Sequence, residues 1–151
     1  MKKPLIVMTL VATTLLLVTP LVAQSPEEEV AARIRAVYAE QREGGNPDVG
    51  SKEGTLNFWS SGGLLQETPA GPPVPTETNL FPKHIEVVVH GDAAVAFYYA
   101  EGTMTPPGGE VVSNYLTRVM EFWIKEDGDW VVRGAHYSPL KGGQGTTQVT
   151  P

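Results

Sequence analysis

Trp123-Ile124-Lys125-Glu126-Asp127-Gly128-Asp129-Trp130-Val131-Val132 is the stretch whose reading decides the fold. Asp-Gly between two apolar runs is a strong hairpin signal, because a two-residue turn needs residues that tolerate positive φ. It joins a run from Val111 to Ile124 to a second run from Trp130 to Ser138. Upstream, Gly91-Asp92 joins the alternating Ile85, Val87 and Val89 to a run from Ala94 to Tyr99 in the same way. Pro106-Pro107-Gly108-Gly109 makes a looser turn between those two hairpins. Residues 84–138 therefore read as antiparallel strand throughout.

Working back toward the N-terminus, Ser25-Pro26-Glu27-Glu28-Glu29 has the makings of a helix start. Ser caps, Pro fits the first helical position, and the acids face the positive end of the helix dipole. Val30, Ile34, Val37 and Tyr38 then recur at three- and four-residue spacing, and Gly44-Gly45-Asn46-Pro47 stops the pattern. This predicts one amphipathic helix over 26–43. Residues 44–83 are harder to read. Leu56, Phe58 and Trp59 fit the end of a short second helix, Leu64-Leu65-Gln66-Glu67 a short strand, and the Pro-rich stretch 69–75 only a loop. A helix first and long strands last is an α+β pattern, with the helix packed on one face of a curved antiparallel sheet. The expected shape is a cone-shaped barrel with a mouth where ligands bind.

Composition narrows the chemistry. The chain has 151 residues, 11 Lys+Arg against 17 Asp+Glu, three His, no Cys and a net charge of −6. No disulfide framework, thiol nucleophile or Cys-ligated metal is available to it. The negative balance argues against nucleic acid as a partner. Lys2 and Lys3 lead into the apolar run Leu5–Val18, and Leu21-Val22-Ala23 precedes a polar segment. A basic end, an apolar stretch too short for a stable span and a small boundary residue describe a signal peptide over 1–23. The expectation is an exported protein with no stable membrane anchor after cleavage. Removing residues 1–23 takes two lysines and no acids, so the remaining 128 residues carry a charge of −8. The domain is expected over 24–140, with a Gly-, Thr- and Gln-rich disordered tail over 141–151.

Hairpin parity assigns faces. With Asp127-Gly128 as a two-residue turn, paired residue numbers sum to a constant, so Glu121 meets Gly134, Val119 meets His136 and Thr117 meets Ser138. Glu121 and His136 then lie diagonally on one face. The other face carries Arg133 over Phe122 and Arg118 over Tyr137. In the first hairpin, Ile85, Val87, Val89, Ala94, Ala96 and Tyr98 form the core face. His84, Glu86, His90, Phe97 and Tyr99 lie outside, and Phe97 and Tyr99 among charges suggest a homodimer surface.

These residues resemble the SnoaL-like, nuclear transport factor 2-like superfamily, which includes ketosteroid isomerases and the association domain of the calmodulin-dependent kinase. The resemblance rests on Val89-x-Gly91-Asp92-x-Ala94-Val95 and on Trp123-x-x-x-Asp127-Gly128-x-Trp130, followed by His136 and Ser138. It covers most of 27–138 and implies a cone-shaped α+β barrel, a pocket on the concave sheet face and frequent dimers. It implies no single activity. Relatives with a Thr-Arg-x-Trp pattern have Arg two residues before the first Trp. Glu121 stands there instead, and Thr117-Arg118 falls three residues early, which argues against an Arg-lined pocket for carboxylates.

Several roles stay open. His136 and Glu121 fit either an acid–base pair, the carboxylate orienting the imidazole, or a hydrogen-bonded pair serving the sheet with Ser138 as third partner. Tyr38 fits a donor to a ligand carbonyl, as in isomerase-like relatives, or a packed core Tyr. Trp59, Trp123, Trp130, Ser138 and Tyr98 are the candidates for lining a ligand site, the tryptophans equally serving as core. Asp48 fits a general base or a turn residue. His84 and His90 lack metal-ligand spacing, and no metal motif, phosphate loop or cofactor signature appears. Three functions remain. One is a module binding a small, partly apolar ligand. Another is a cofactor-independent isomerase or lyase using His136, Glu121 and Tyr38. The third is a dimeric structural module with a filled pocket.

Overall fold

The computed structural model describes residues 24–59, 64–71, 76–105 and 108–140. The expected signal peptide over 1–23, the tail over 141–151 and most of the Pro-rich loop lie outside the described residues. Helix α1 runs Pro26–Arg42, one residue short of the reading, with Ser25 accepting from the Glu28 amide as its cap. Its predicted stripe of Val30, Ile34, Val37 and Tyr38 is buried. Six strands follow: β1 Thr55–Phe58, β2 Gln66–Thr68, β3 Glu77–His90, β4 Ala93–Thr105, β5 Val112–Glu126 and β6 Asp129–Pro139. They form one sheet in the order β2-β1-β6-β5-β4-β3, with α1 packed chiefly on β3. The α+β architecture is as expected, but the sheet is open at both edges and mixed, since β1 runs parallel to β6.

Both tight hairpins form at the predicted turns. Asp127 and Gly128 have φ of 53° and 96°, as a type I′ turn requires, and Gly91 takes φ of 60° at the first turn. The first core face is as read: Val87 pairs with Ala96 and Val89 with Ala94, while Ala94, Ala96 and Tyr98 are buried. Strand β3 starts well before the residues read as strand and includes Pro82. That proline is tolerated because β3 is the sheet's edge and has no further neighbour to receive an N–H.

Two expectations are corrected. Leu56 and Phe58 belong to strand β1, not to a second helix, because their backbone finds a partner in β6 at Leu56↔Gly134 and Phe58↔His136. Tertiary pairing overrides a weak local pattern here. The β5–β6 parity also fails beyond Trp123↔Val132. A bulge at Arg133 shifts the register, so that Phe122 meets Gly134, Glu121 meets Ala135, Met120 meets His136 and Val119 meets Tyr137. One extra residue exchanges the two faces of everything after it. Glu121 and Tyr137 therefore point to the core side, and His136 points outward. Arg118 lies opposite Ser138 rather than over Tyr137. Arg133, at the bulge, donates to the Gly54 carbonyl and pairs with Glu53 rather than lying over Phe122.

Gly134 lets β1 approach this bulge, since a Cβ there would lie 3.1 Å from the Leu56 carbonyl oxygen. Gly134→Val should weaken the β1–β6 junction and destabilise the fold by about 1–3 kcal/mol. Chemical denaturation gives the loss, and faster amide exchange on β1 than on β4 would localise it. An unchanged β1 exchange rate would refute that account of Gly134.

Candidate functional site

The candidate site lies between α1, the inner face of β5 and β6, and the loop leading into β1. The 3.6-residue period of α1 sends Val37, Tyr38 and Gln41 to this side, while strand alternation delivers Glu121 from β5 and Tyr137 from β6. Val49, Gly50 and Ser51 pair with β6 at Val132 through Val132 N–H to Val49 and Ser51 N–H to Val132 at 2.7 and 2.9 Å, which fixes one wall. Glu126 holds the same loop by accepting from Ser51 Oγ at 2.6 Å and from the Lys52 amide at 3.1 Å. These elements enclose a cavity of about 230 Å³, with Asn57, Asp48 and Trp59 among its lining.

Glu121 is 7 % exposed and is the buried acid of the domain's described core. Tyr98 Oη donates to its Oε1 at 2.8 Å, Trp123 Nε1 donates to its Oε2 at 3.1 Å, and Tyr137 also hydrogen-bonds it. Tyr38 Oη lies 3.2 Å from Tyr98 Oη, with the rings edge to face. Because the Tyr98 proton goes to the carboxylate, Tyr38 is the donor to Tyr98 whenever Glu121 is ionised. Burial pushes the Glu121 carboxyl up to about 7, against the pull of its hydrogen bonds from Tyr98, Trp123 and Tyr137. Burial and the nearby Glu121 also hold the phenols of Tyr38, Tyr98 and Tyr137 above their usual range. The result is one carboxyl able to change charge near neutrality, wired to hydroxyls that stay protonated and donate.

The expected residues divide. Glu121 and Tyr38 both line the cavity, Tyr98 and Trp123 support the carboxyl from behind, and Trp59 stacks on Tyr137 at the rim, ring centroids 4.8 Å apart and 4° from coplanar. His136 is not with Glu121: it lies exposed on the outer face between Met120 and Phe58, 5.9 Å from the Phe58 ring centroid. The juxtaposition expected from parity is overturned by the Arg133 bulge. Ser138 also belongs to the outer side, opposite Arg118. Trp130 is buried at the far end of the sheet, donating to Glu29 at 3.0 Å and so tying α1 to the β5–β6 hairpin. Asp48 sits exposed on the cavity's edge, its Oδ1 accepting from the Gly50 amide, as a turn residue does. Among the described residues no cluster of His, Cys, Asp and Glu could hold a metal ion.

Tyr137 is the site residue that the sequence reading missed. A signal was present. Buried positions on β6 are even at Trp130 and Val132, then odd at Ala135, and that change of phase straddles Arg133-Gly134. A glycine inside a strand pattern is a marker of a bulge or a close backbone approach, and here it is both.

No protein-family model matches this chain, and no curated protein does. Solved structures do match. A nuclear transport factor 2-like superfamily protein from Salmonella enterica aligns at 15 % identity and a TM-score of 0.57, over 82 % of this chain and 96 % of its own. The CaMKII hub homology domain of Chlamydomonas reinhardtii aligns at 22 % identity and 0.56, over 78 % and 100 %. An NTF2-like protein of unknown function from Pseudomonas putida aligns at 16 % and 0.54, over 85 % and 100 %. Identities this low speak to architecture alone, and the architecture they share with this chain is the nuclear transport factor 2-like fold.

Proposed function

We propose that this protein is a binding module for a small, partly apolar molecule that enters the cavity beside Trp59 and meets Glu121. The carrying observation is the cavity itself, walled by Val37, Val49 and Val132 and furnished with one buried carboxyl and its Tyr partners. Small-molecule sites combine an apolar lining with a few fixed polar groups in this way. The open volume supports this reading over a structural module with a filled pocket. Export rests on the sequence of residues 1–23, and the protein is proposed to work outside the cytoplasm.

A second reading has its own observation: a carboxyl near 7 is suited to taking and returning a proton at neutral pH. In a cofactor-independent isomerase or lyase, Glu121 would be the base and Tyr38 and Tyr98 would hold its proton network. His136 has no part in it from the outer face.

A homodimer is proposed through that outer face. Glu86, Phe97, Met120, His136 and Phe58 form one row across β3, β4, β5, β6 and β1, with Tyr99 and Phe122 beside it. Phe97, Met120 and Phe122 are 46 %, 45 % and 42 % exposed, an apolar patch of the kind interfaces cover.

In a fragment screen by NMR, binders should shift the Trp59 indole and Tyr137 signals, and Trp59→Ala should weaken them about ten-fold by loss of the stacking platform. A screen in which no fragment perturbs these signals would reject the binding reading. The raised carboxyl also has a consequence for stability. Between pH 4.5 and 7 the folded state keeps a proton on Glu121 that the unfolded chain releases, so this group's contribution to stability falls as pH rises. Wild type should lose on the order of 3 kcal/mol relative to Glu121→Gln between pH 4.5 and 7.5. Equal slopes in the two proteins would place the carboxyl in water instead. For the enzymatic reading, exchange of a bound ketone's α-proton with solvent deuterium should fall roughly 10²-fold or more in Glu121→Gln, and no Glu121-dependent exchange would dismiss it. Finally, Phe97→Glu should convert a dimer to monomer in sedimentation; a wild-type monomer at high concentration would remove the dimer.

A further inference from the structure

The charge of the cavity lining is one-sided. Glu121 lies at its inner end and Asp48 at its edge, and among the described residues no Lys, Arg or His lines it. Two basic residues next in sequence to the lining residues Val132 and Ser51 are engaged elsewhere: Arg133 with Glu53 and the Gly54 carbonyl, Lys52 with Asp127. The segments 60–63 and 72–75 that flank the lining residues Trp59 and Gly71 contain no charged residue of either sign. An anion placed here would meet two acids with no cation among the described lining residues to offset them.

Aromatic faces add to the acids. Trp59 and Tyr137 stack at the rim, Tyr38 lines the wall, and the negative faces of such rings attract cations. Glu121 receives hydrogen bonds from Tyr98, Trp123 and Tyr137, and a carboxylate has about four acceptor positions, so one more donor can be taken. A donor bringing positive charge would be bound best. The apolar remainder of the lining, Val37, Val49 and Val132, suits a hydrocarbon body.

We propose that the cavity selects a small organic ammonium ion, a protonated amine on an apolar or aromatic body, with its N–H groups directed to the Glu121 carboxylate. This rests on the ligand-binding reading above and deepens it. Selection should depend on pH, because the ammonium pairs only with the ionised acid. The groups facing Glu121 are Tyr38 from α1, Tyr98 from β4, Tyr137 from β6 and Trp123 on its own strand, with Asp48 at the cavity's edge. The three phenols stay protonated through the neutral range, so Glu121 is the group whose charge changes.

The test compares three probes of one shape: benzylammonium, benzyl alcohol and benzoate, titrated into the protein while the Trp59 indole resonance is followed. At pH 8 benzylammonium should bind at least about ten-fold more tightly than benzyl alcohol, and benzoate should bind weakest. At pH 5.5 the preference for the ammonium should shrink several-fold, while the alcohol's affinity stays nearly constant. Glu121→Gln should abolish the preference at pH 8; if that variant does not fold, the wild-type pH dependence decides alone. Alcohol or benzoate binding as tightly as the ammonium would overturn the proposal and leave the ligand-binding reading standing. A preference equal at both pH values, or retained in Glu121→Gln, would overturn it as well. Only the absence of binding by all three probes would remove both.

Discussion

The Arg133 bulge sets the phase of β6, and most of what distinguishes this domain depends on it. Before the bulge, Trp130 and Val132 face the core; after it, Ala135 and Tyr137 do. A regular hairpin would have turned Tyr137 outward and His136 inward, diagonal to a buried carboxyl. Beside the bulge, Gly134 leaves room for β1 to approach, and β1 with the residue after it brings Asn57 and Trp59 to the cavity. A single extra residue in one strand thus determines the occupants of the site, because strand side chains alternate on either side of a bulge and change phase across it.

A buried carboxyl is costly unless its oxygens are satisfied. Here Tyr98 and Trp123 each serve one oxygen, and Tyr137 adds a third bond. Two of these donors come from strands other than β5, so the carboxyl joins β4, β5 and β6 through their inner faces, and Tyr38 extends the network to α1. The arrangement does not neutralise the cost of burial, which is why the group stays raised rather than becoming an ordinary carboxylate. A site that held Glu121 with a cationic partner would have the opposite character. Among the described residues lining the cavity there is no such partner, and the proposed preference for an ammonium ligand starts from that.

At the other end of the sheet, the hairpin tip acts as an anchor rather than a site. Trp130 and Lys125 meet Glu29 at the start of α1, while Glu126 and Asp127 hold the Ser51-Lys52 turn. These contacts fix the helix and the entry loop relative to β5 and β6, so the cavity walls belong to one mechanical unit. The residues doing this are the Trp and acidic residues around Asp127-Gly128, the same stretch that makes the hairpin recognisable in the sequence.

Sequence alone determined the elements whose causes are local. Ser25-Pro26 and the stripe from Val30 to Tyr38 specify α1, and the two Gly-Asp and Asp-Gly turns specify their hairpins, because capping, period and positive φ are properties of neighbouring residues. The α+β class and the inward facing of Glu121 and Tyr38, which both line the cavity, could be read from those elements. Tertiary structure decided the rest. Strand β1 exists because β6 offers it a parallel edge, the length of β3 because an edge tolerates Pro82, and the company of Glu121 because a bulge reversed the register. Each of these turns on a partner distant in the chain, and a period-two pattern cannot announce where its phase will slip until the neighbouring strand is in place.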